Sequence, residues 1–227
     1  MGFTLQDIVP WGRNLDEYRK MFRLTDQELK RPILSCADGP ASFNAELTAL
    51  GGSCVSIDPL YAFSHKQISN RIEETTDEVY NQLCLNRDAY NWDDYQTPEN
   101  LLQVRLSAMN SFLSDYESGK IAGRYREGSL PDLSFLPEQF ELVLCSHFLF
   151  TYSGHLSGAF HQEAILQMLK KGSEIRIFPV CSLDGSPSPH LPEMELFLKQ
   201  QKLEYRLEQV DYEFQKGGNH MLRIFSE

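Results

Sequence analysis

The sequence predicts an α/β fold: a doubly wound, mostly parallel sheet of seven strands that ends in an antiparallel hairpin. Three observations predict it. Two short apolar runs, Pro32 to Ala37 and Cys54 to Ile57, flank a Gly-Pro turn and a helix-spaced set, Phe43, Leu47 and Leu50. That order makes a βαβ unit, whose strands run parallel with the helix packed across them. Two more buried runs, Phe140 to Cys145 and Ile175 to Val180, are separated by a second helix carrying Phe160, Leu166 and Leu169. The chain closes on two β-rich runs, Tyr205 to Phe214 and Met221 to Phe225, joined by Lys216-Gly217-Gly218-Asn219, which reads as the hairpin.

The remaining elements follow in chain order. Asn14 with Glu17, and Thr25 with Glu28, have capping-box spacing and predict two short helices within residues 1–30. The run from Pro32 is too brief for a helix, and Asp38-Gly39-Pro40 breaks it. Gly51-Gly52 stops the next helix, and the second strand ends at Asp58-Pro59. A polar stretch over residues 65–123 then predicts a helical insertion before the third strand. Within it Ile68, Ile72, Val79 and Leu83 share one helical face, Thr97-Pro98 is an N-cap followed by proline, and Leu102, Leu106, Met109 and Leu113 line another face. The third strand is short and lies near Tyr125. Lys170-Lys171-Gly172 stops the helix after the fourth strand, and Pro192 opens the last helix with Leu196 and Phe197. All of this reads as one domain, residues 1–227.

Composition narrows the class of function. Hydrophobic residues are 41% of the chain and charged residues 23%, as in soluble globular proteins. No apolar run approaches the ~20 residues of a membrane span, and Met1 to Ile8 lacks a secretory signal. A net charge of −11 argues against broad binding to nucleic acid or to an anionic membrane. The five cysteines form no C-x-x-C pair, and Cys36, Cys54 and Cys145 sit in apolar runs. They point to a reducing, cytoplasmic compartment and to no metal site.

In an open parallel sheet, ligands bind at the carboxyl ends of the strands, where strand order reverses. Those ends are Ala37-Asp38-Gly39-Pro40, Asp58-Pro59-Leu60, Ser146-His147-Phe148 and Pro179-Val180-Cys181. The turn from Phe214 to Asn219 joins them if the sixth strand is parallel. Asp58 is placed either to accept hydrogen bonds from ribose hydroxyls or to make an Asp-Pro turn. The loop from Ala37 lacks a G-x-G-x-x-G pattern, and Asp38 would repel a pyrophosphate. A nucleoside cofactor without phosphates, such as S-adenosylmethionine, suits it better than a nicotinamide dinucleotide.

The run Ile33-Leu34-Ser35-Cys36-Ala37-Asp38-Gly39-Pro40-Ala41 resembles the glycine-rich first motif of class I, Rossmann-like S-adenosylmethionine-dependent methyltransferases. Asp58 falls on that family's ribose-binding acid. Ser129 to Pro137 is similar to its adenine-contacting segment, and Cys36 to Glu46 with Cys145 to Phe150 looks like a set of uncharacterised bacterial members. Three positions depart from the pattern: Ser35 replaces an acidic residue, and Ala37 and Ala41 replace glycines. The resemblance implies that Cys36, Ala37, Asp38 and Gly39 lie against the methionine moiety. It puts Asp58, Pro59 and Leu60 at the ribose, Ser129 and Leu130 at the adenine, and Ser146 and His147 beside the sulfonium. Arg13 and Tyr18 fall where some members close an N-terminal helix over the cofactor. Arg13 is then either a partner for the cofactor carboxylate or a surface charge.

His147, with an unperturbed pKa of about 6.5, is either a general base for the methyl acceptor or a hydrogen-bonded cleft residue. Tyr152 is a second catalytic candidate, and His155 a candidate for the acceptor pocket. His161 reads as an ordinary helix residue. Asn219 and His220 belong either to the site or to the turn. Trp92, Tyr95 and Phe112 read as core before cage. The activity implied is methyl transfer to a small-molecule acceptor, and the alternative is a non-catalytic module that holds S-adenosylmethionine or S-adenosylhomocysteine.

Overall fold

A computed structural model describes residues 10–226 except residue 138. Its first element is set by the first capping box. The Glu17 backbone N–H donates to Asn14 Oδ1 at 2.9 Å, and the Asn14 N–H donates to Glu17 Oε2 at 3.1 Å, which opens α1 (Leu15–Phe22). The second pair, Thr25 and Glu28, makes the same reciprocal bonds but builds only one 3₁₀ turn, Glu28–Lys30, where a helix was expected. Pro32 explains the arrest: it has no N–H to give a growing helix and drives Arg31 into extended backbone.

Strand β1 (Pro32–Cys36) pairs in parallel with β2 (Ser53–Ile57) and with β4 (Phe140–Ser146), and α2 (Phe43–Ala49) connects β1 to β2. The insertion supplies α3 (His65–Leu85) and α4 (Pro98–Ile121), after which β3 (Tyr125–Arg126) adds to β2. Next come α5 (Gly158–Leu169), β5 (Gly172–Phe178), α6 (Leu191–Gln200), β6 (Glu204–Gln209) and β7 (His220–Phe225). The sheet order is β3-β2-β1-β4-β5-β7-β6, with β1 to β5 parallel. Strand β7 is antiparallel to both β5 and β6, so β6 runs with the parallel set. This is the doubly wound, mostly parallel seven-stranded sheet that the sequence predicts, with its antiparallel pair at the end.

Successive residues of a strand face opposite sides of the sheet. Leu142 and Leu144 therefore join one core with α1 and α2, while Val143 and Cys145 join the other with α5 and α6. A third cluster, built on Tyr61, Ile72, Phe112, Tyr116 and Tyr125, packs α3 and α4 against the β2–β3 edge. Tyr95 and Phe112 sit in these cores, and Trp92 packs half-buried against the first. The apolar face of α3 is the expected one. That of α4 is not: Leu101, Arg105, Ala108, Met109, Phe112 and Leu113 are buried, and Leu102 and Leu106 are only half-buried. The face is displaced because a charged residue, Arg105, occupies its centre with no exposed surface.

Glu17 makes that placement possible. Arg105 Nη1 donates to both Glu17 carboxylate oxygens, and its Nη2 donates to the Tyr212 hydroxyl at 3.1 Å. The Tyr95 hydroxyl donates to Glu17 Oε1 at 2.5 Å and the Tyr212 hydroxyl at 3.2 Å. Burial by itself would raise the pKa of Glu17, but Arg105, with Arg13 and Tyr95, holds it below the usual carboxylate range. Breaking one side of a buried pair costs about 3–5 kcal/mol, because it strands a charge. Arg105→Met and Glu17→Gln should therefore each lower the unfolding free energy by roughly that amount in urea titrations. The double variant should lose clearly less than the sum of the two; strict additivity would show that the pair is not coupled.

Candidate functional site

Strand order reverses between β1 and β4, and a cleft of about 750 Å³ opens there at the carboxyl ends of the parallel strands. Its floor is the β1–α2 loop. Ala37 and Gly39 are left-handed, each with φ 55°, and His147 across from them has φ 50°. A side chain at Gly39 would meet nothing within 4 Å, so backbone conformation, not crowding, calls for glycine there. Ala37 and His147 hold the same conformation at a cost of about 1–2 kcal/mol each; residues so strained cluster at functional sites.

Two carboxylates set the floor's chemistry. Asp38 is buried and accepts from the hydroxyls of Tyr18, Ser35 (2.5 Å) and Ser56 (2.6 Å). Burial raises its pKa, and the three hydroxyl donors only partly oppose the rise. Asp58 caps the 3₁₀ turn Pro59–Ala62: its Oδ1 accepts from the Leu60 N–H at 2.8 Å. Its Oδ2 accepts from the Gly39 N–H at 2.9 Å and so ties the β1 loop to the end of β2. Each carboxylate oxygen has a second lone pair for a ligand. Burial lifts the Asp58 pKa to about 6; the two backbone N–H groups oppose the rise and Asp38 adds to it. Asp58 is thus both a turn residue and a cleft carboxylate.

His147 follows Ser146, whose Oγ lies 2.9 Å from the ring Nδ1. The His147 N–H donates to the Phe178 carbonyl at 2.6 Å, and the ring stands edge-on to Phe178 at 5.4 Å. Burial, then the positive charges of Arg13 and Arg105, push its pKa well below 6.5. The unperturbed value is therefore corrected: the ring is neutral at pH 7. Arg13 is not a surface charge. It lines the cleft half-buried, and its Nη1 donates weakly to the Trp11 carbonyl at 3.4 Å. Its buried Nε has no partner among the described residues, a deficit that an anionic ligand would relieve.

Of the predicted residues, Arg13, Tyr18, Ala37, Asp38, Gly39, Asp58, Pro59, Leu60, Ser129, Leu130, Ser146, His147 and Tyr152 line this one cleft. Cys36 does not: strand alternation turns it into the core with Val143 and Cys145, where burial pushes its thiol pKa far up. Tyr18 lies in the floor, almost fully buried and stacked on Phe43 at 4.3 Å. His155 is exposed and, like the half-buried Asn219 and His220, is not among the lining residues. His161 is the buried helix residue expected, with both ring nitrogens against backbone carbonyls.

Two further walls complete the cleft: the turn from Phe214, expected on this face if β6 is parallel, does open here, while Tyr212 and the α3 residues were not among the candidates. Strand β6 stops at Gln209, not at Phe214, and residues 210–219 leave the sheet to bring Tyr212, Phe214, Gln215 and Gly218 to the cleft. A Tyr90–Gln215 bridge and an Asn91 N–H to Phe214 carbonyl bond of 2.7 Å fasten this segment to the insertion. Helix α3, 21 residues and so about 30 Å long, crosses the opening with Gln67, Arg71 and Glu74 near one end and Val79 and Leu83 near the other. Among the described residues no group of three or more His, Cys, Asp or Glu could hold a metal ion, and no helix is long and apolar enough to cross a membrane.

No protein-family model matches the chain. In sequence it is 34% identical over 222 residues to the uncharacterized protein MJ0045 of Methanocaldococcus jannaschii, covering 97% of each chain. In structure it resembles the magnesium protoporphyrin IX methyltransferase ChlM of Synechocystis PCC 6803, solved with bound S-adenosylmethionine. That likeness has 11% identity and a TM-score of 0.45 over 89% of this chain and 73% of that one. It also resembles the precorrin-6y C5,15-methyltransferase of Geobacter metallireducens GS-15, at 11% identity and a TM-score of 0.43, over 93% of this chain and 86% of that one. Both likenesses are distant, and the fold stands on its own strand order and pairing.

Two of the shifted groups, Asp58 and His147, have opposite consequences. A carboxyl whose folded pKa is raised binds more protons folded than unfolded, so Asp58 weakens the fold as pH rises from about 4 to about 6. An imidazole whose folded pKa is lowered does the reverse, and the stability that neutral His147 allows is lost as pH falls below 6.5. Carbon-detected NMR of the ligand-free protein should give Asp58 a midpoint near 6 and show the His147 ring still neutral at pH 6. An ordinary Asp58 midpoint near 4 would show that its carboxyl is not desolvated in this way.

Proposed function

The chain belongs to the same family as that archaeal protein, and we propose that it is a methyltransferase that carries the methyl group of S-adenosylmethionine to a small-molecule acceptor. The carrying observation is Asp58: a half-buried carboxylate at the end of β2, with lone pairs to spare, beside a loop that has no phosphate cradle. Such a group accepts from ribose hydroxyls, and the nearby Asp38 disfavours a pyrophosphate. The unpaired Arg13 Nε supports a carboxylate partner in the same cleft. The cofactor, when bound, supplies an electrophilic methyl group. Asp58, with Pro59 and Leu60, holds the ribose; Ser129 and Leu130 flank the adenine; Arg13 pairs with the methionine carboxylate. Ala37, Asp38 and Gly39 form the floor beneath the methionine moiety, and Tyr18 supports that floor through Asp38.

His147, kept neutral and held by Ser146, takes the proton that the acceptor loses, and Tyr152 stands on the same side of the cleft to orient the acceptor. Alignment of the acceptor with the methyl group accounts for most of the rate. The net charge of −11 supports a small molecule over nucleic acid, and the free cysteines support a reducing, cytoplasmic setting. The whole chain then acts as one catalytic domain, with residues 65–123 as its inserted cover.

Calorimetry should show binding of S-adenosylmethionine and S-adenosylhomocysteine and none of NADH. Binding should strengthen from pH 5 to pH 7, because only the ionised Asp58 accepts two hydroxyl bonds. Asp58→Ala should weaken it at least tenfold, from the loss of charge-assisted bonds worth about 1.5–3 kcal/mol each. Once an acceptor is found, His147→Ala should cut turnover at saturating cofactor by about 10²–10⁴ while the cofactor Kd hardly moves. Tight NADH binding without adenosyl-compound binding would overturn the proposal. Cofactor binding with no methyl transfer to any component of a cell extract would favour a non-catalytic regulatory module.

A further inference from the structure

The cleft is chemically divided. Its charged lining residues among those described are Arg13, Asp38, Asp58, Arg71 and Glu74. They belong to the floor, to the end of β2 and to the first half of α3, where Arg71 and Glu74 stand 3.6 Å apart as an ion pair. The other half has a different character. Val79 and Leu83 of α3, Tyr90, Leu183, Tyr212 and Phe214 line it, and none carries a charge. Four of these six are nearly inaccessible because they also belong to the core, so each offers this bay of the cleft only a small apolar patch of its side chain. Tyr90 and Phe214 stack with centroids 4.6 Å apart and planes 7° from parallel, so each covers one face of the other and the aromatic wall they add presents what those contacts leave free. The Tyr212 hydroxyl is spent on Glu17 and Arg105, so its ring is what remains for the bay, and the charges behind it neutralise each other. The one lining amide here, Gln215, donates to the Leu183 carbonyl at 2.7 Å.

At the reacting side, after β4, two polar groups await a partner of modest polarity. The His147 imidazole is neutral there, and the buried Thr151 Oγ1 lines the cleft with no hydrogen-bond partner among the described residues. An ammonium acceptor would find no free carboxylate in this half, and a carboxylate acceptor would compete with the cofactor for Arg13. Leaving a charge unpaired in such a bay costs several kcal/mol. A flat, neutral ring satisfies the aromatic wall and the aliphatic side chains together.

We infer that the acceptor is a neutral, planar aromatic molecule whose hydroxyl is methylated, seated in the bay of Val79, Leu83, Tyr90, Leu183, Tyr212 and Phe214. The inference rests on the methyltransferase reading above. The acceptor oxygen bonds to the methyl carbon as the carbon–sulfur bond breaks, and the sulfur keeps that electron pair. The hydroxyl proton passes to His147 and then to water. The products are an aryl methyl ether and S-adenosylhomocysteine.

The test uses three probes of one shape and different charge: 2-naphthol, the cation of 2-naphthylmethylamine and the anion 2-naphthoate. Each is titrated at pH 7 into the protein saturated with S-adenosylhomocysteine. 2-Naphthol should bind at least tenfold more tightly than either charged probe. Leu83→Gln should weaken 2-naphthol at least tenfold and leave the S-adenosylhomocysteine Kd unchanged. If a thermal melt shows Leu83→Gln unfolded, Phe214→Ala, at a half-buried position, answers the same question. A charged probe that binds as tightly as 2-naphthol, or variants that bind 2-naphthol normally, would overturn the inference. So would failure of 2-naphthol to bind protein that does bind S-adenosylhomocysteine. If the naphthol binds and the variants lose it but S-adenosylhomocysteine does not bind, the bay stands and the methyltransferase reading falls.

Discussion

The shape of the cleft depends on one buried ion pair. Glu17 belongs to α1, Arg105 to α4, Tyr95 to the α3–α4 connection and Tyr212 to the segment after β6. None of these pieces is a sheet strand, so no backbone ladder dictates where each must lie. A carboxylate taken out of water tolerates few arrangements of its donors. Glu17 therefore draws the floor, the insertion and the C-terminal segment to one point. Apolar side chains of the same volume would pack those segments as firmly, yet they would slide where hydrogen bonds do not. The result is a roofed cleft at a place where the bare sheet would offer only an open edge.

The cleft's own carboxylates follow a different rule. Among the described contacts, Asp38 and Asp58 are held by hydroxyl and backbone N–H donors. Neutral donors support a buried carboxylate but do not cancel its charge, which is why both pKa values rise. In β1, Ser35 is the strand residue nearest to that role. Its hydroxyl donates to Asp38, and the carboxylate at the end of β1 is supplied by the loop and not by the strand.

What was legible follows from what is local. The strands are short apolar runs with clear breaks, so their number, their mostly parallel order and the terminal antiparallel pair could be read. The stripe Ile68, Ile72, Val79 and Leu83 could be read because every member is apolar. The buried face of α4 could not, since Arg105 is a core residue only in company with Glu17, 88 positions away. The stop of β6 at Gln209 was hidden for a related reason. Val210 to Phe214 has strand composition, but its partners are the insertion and the ion pair. Position at strand ends brought most of the candidate site into view. The wall supplied by α3 is a tertiary fact; that of residues 210–219 was partly legible, since the turn from Phe214 falls on this face once β6 is parallel, while Tyr212 before it read as strand.

Strain and strength lie at opposite edges of the sheet. At the carboxyl edge Ala37 and His147 hold left-handed backbone, Asp58 is desolvated, and Arg13 keeps an unpaired donor. The opposite edge is knitted by charge. Glu174 near the start of β5 accepts from Arg176, Arg223 and Arg31, and Arg31 also reaches Glu141 at the start of β4. From within β5, Arg176 donates to the carbonyl of Phe22, the last residue of α1, at 2.6 Å, and to Glu28. This anchors the C-terminal end of the helix whose N-terminal turn carries Glu17. Strained residues persist only where their surroundings over-determine them. Here α1 transmits that constraint: Arg176 fixes one end, Arg105 fixes the other, and Tyr18 between them holds Asp38 in the cleft floor.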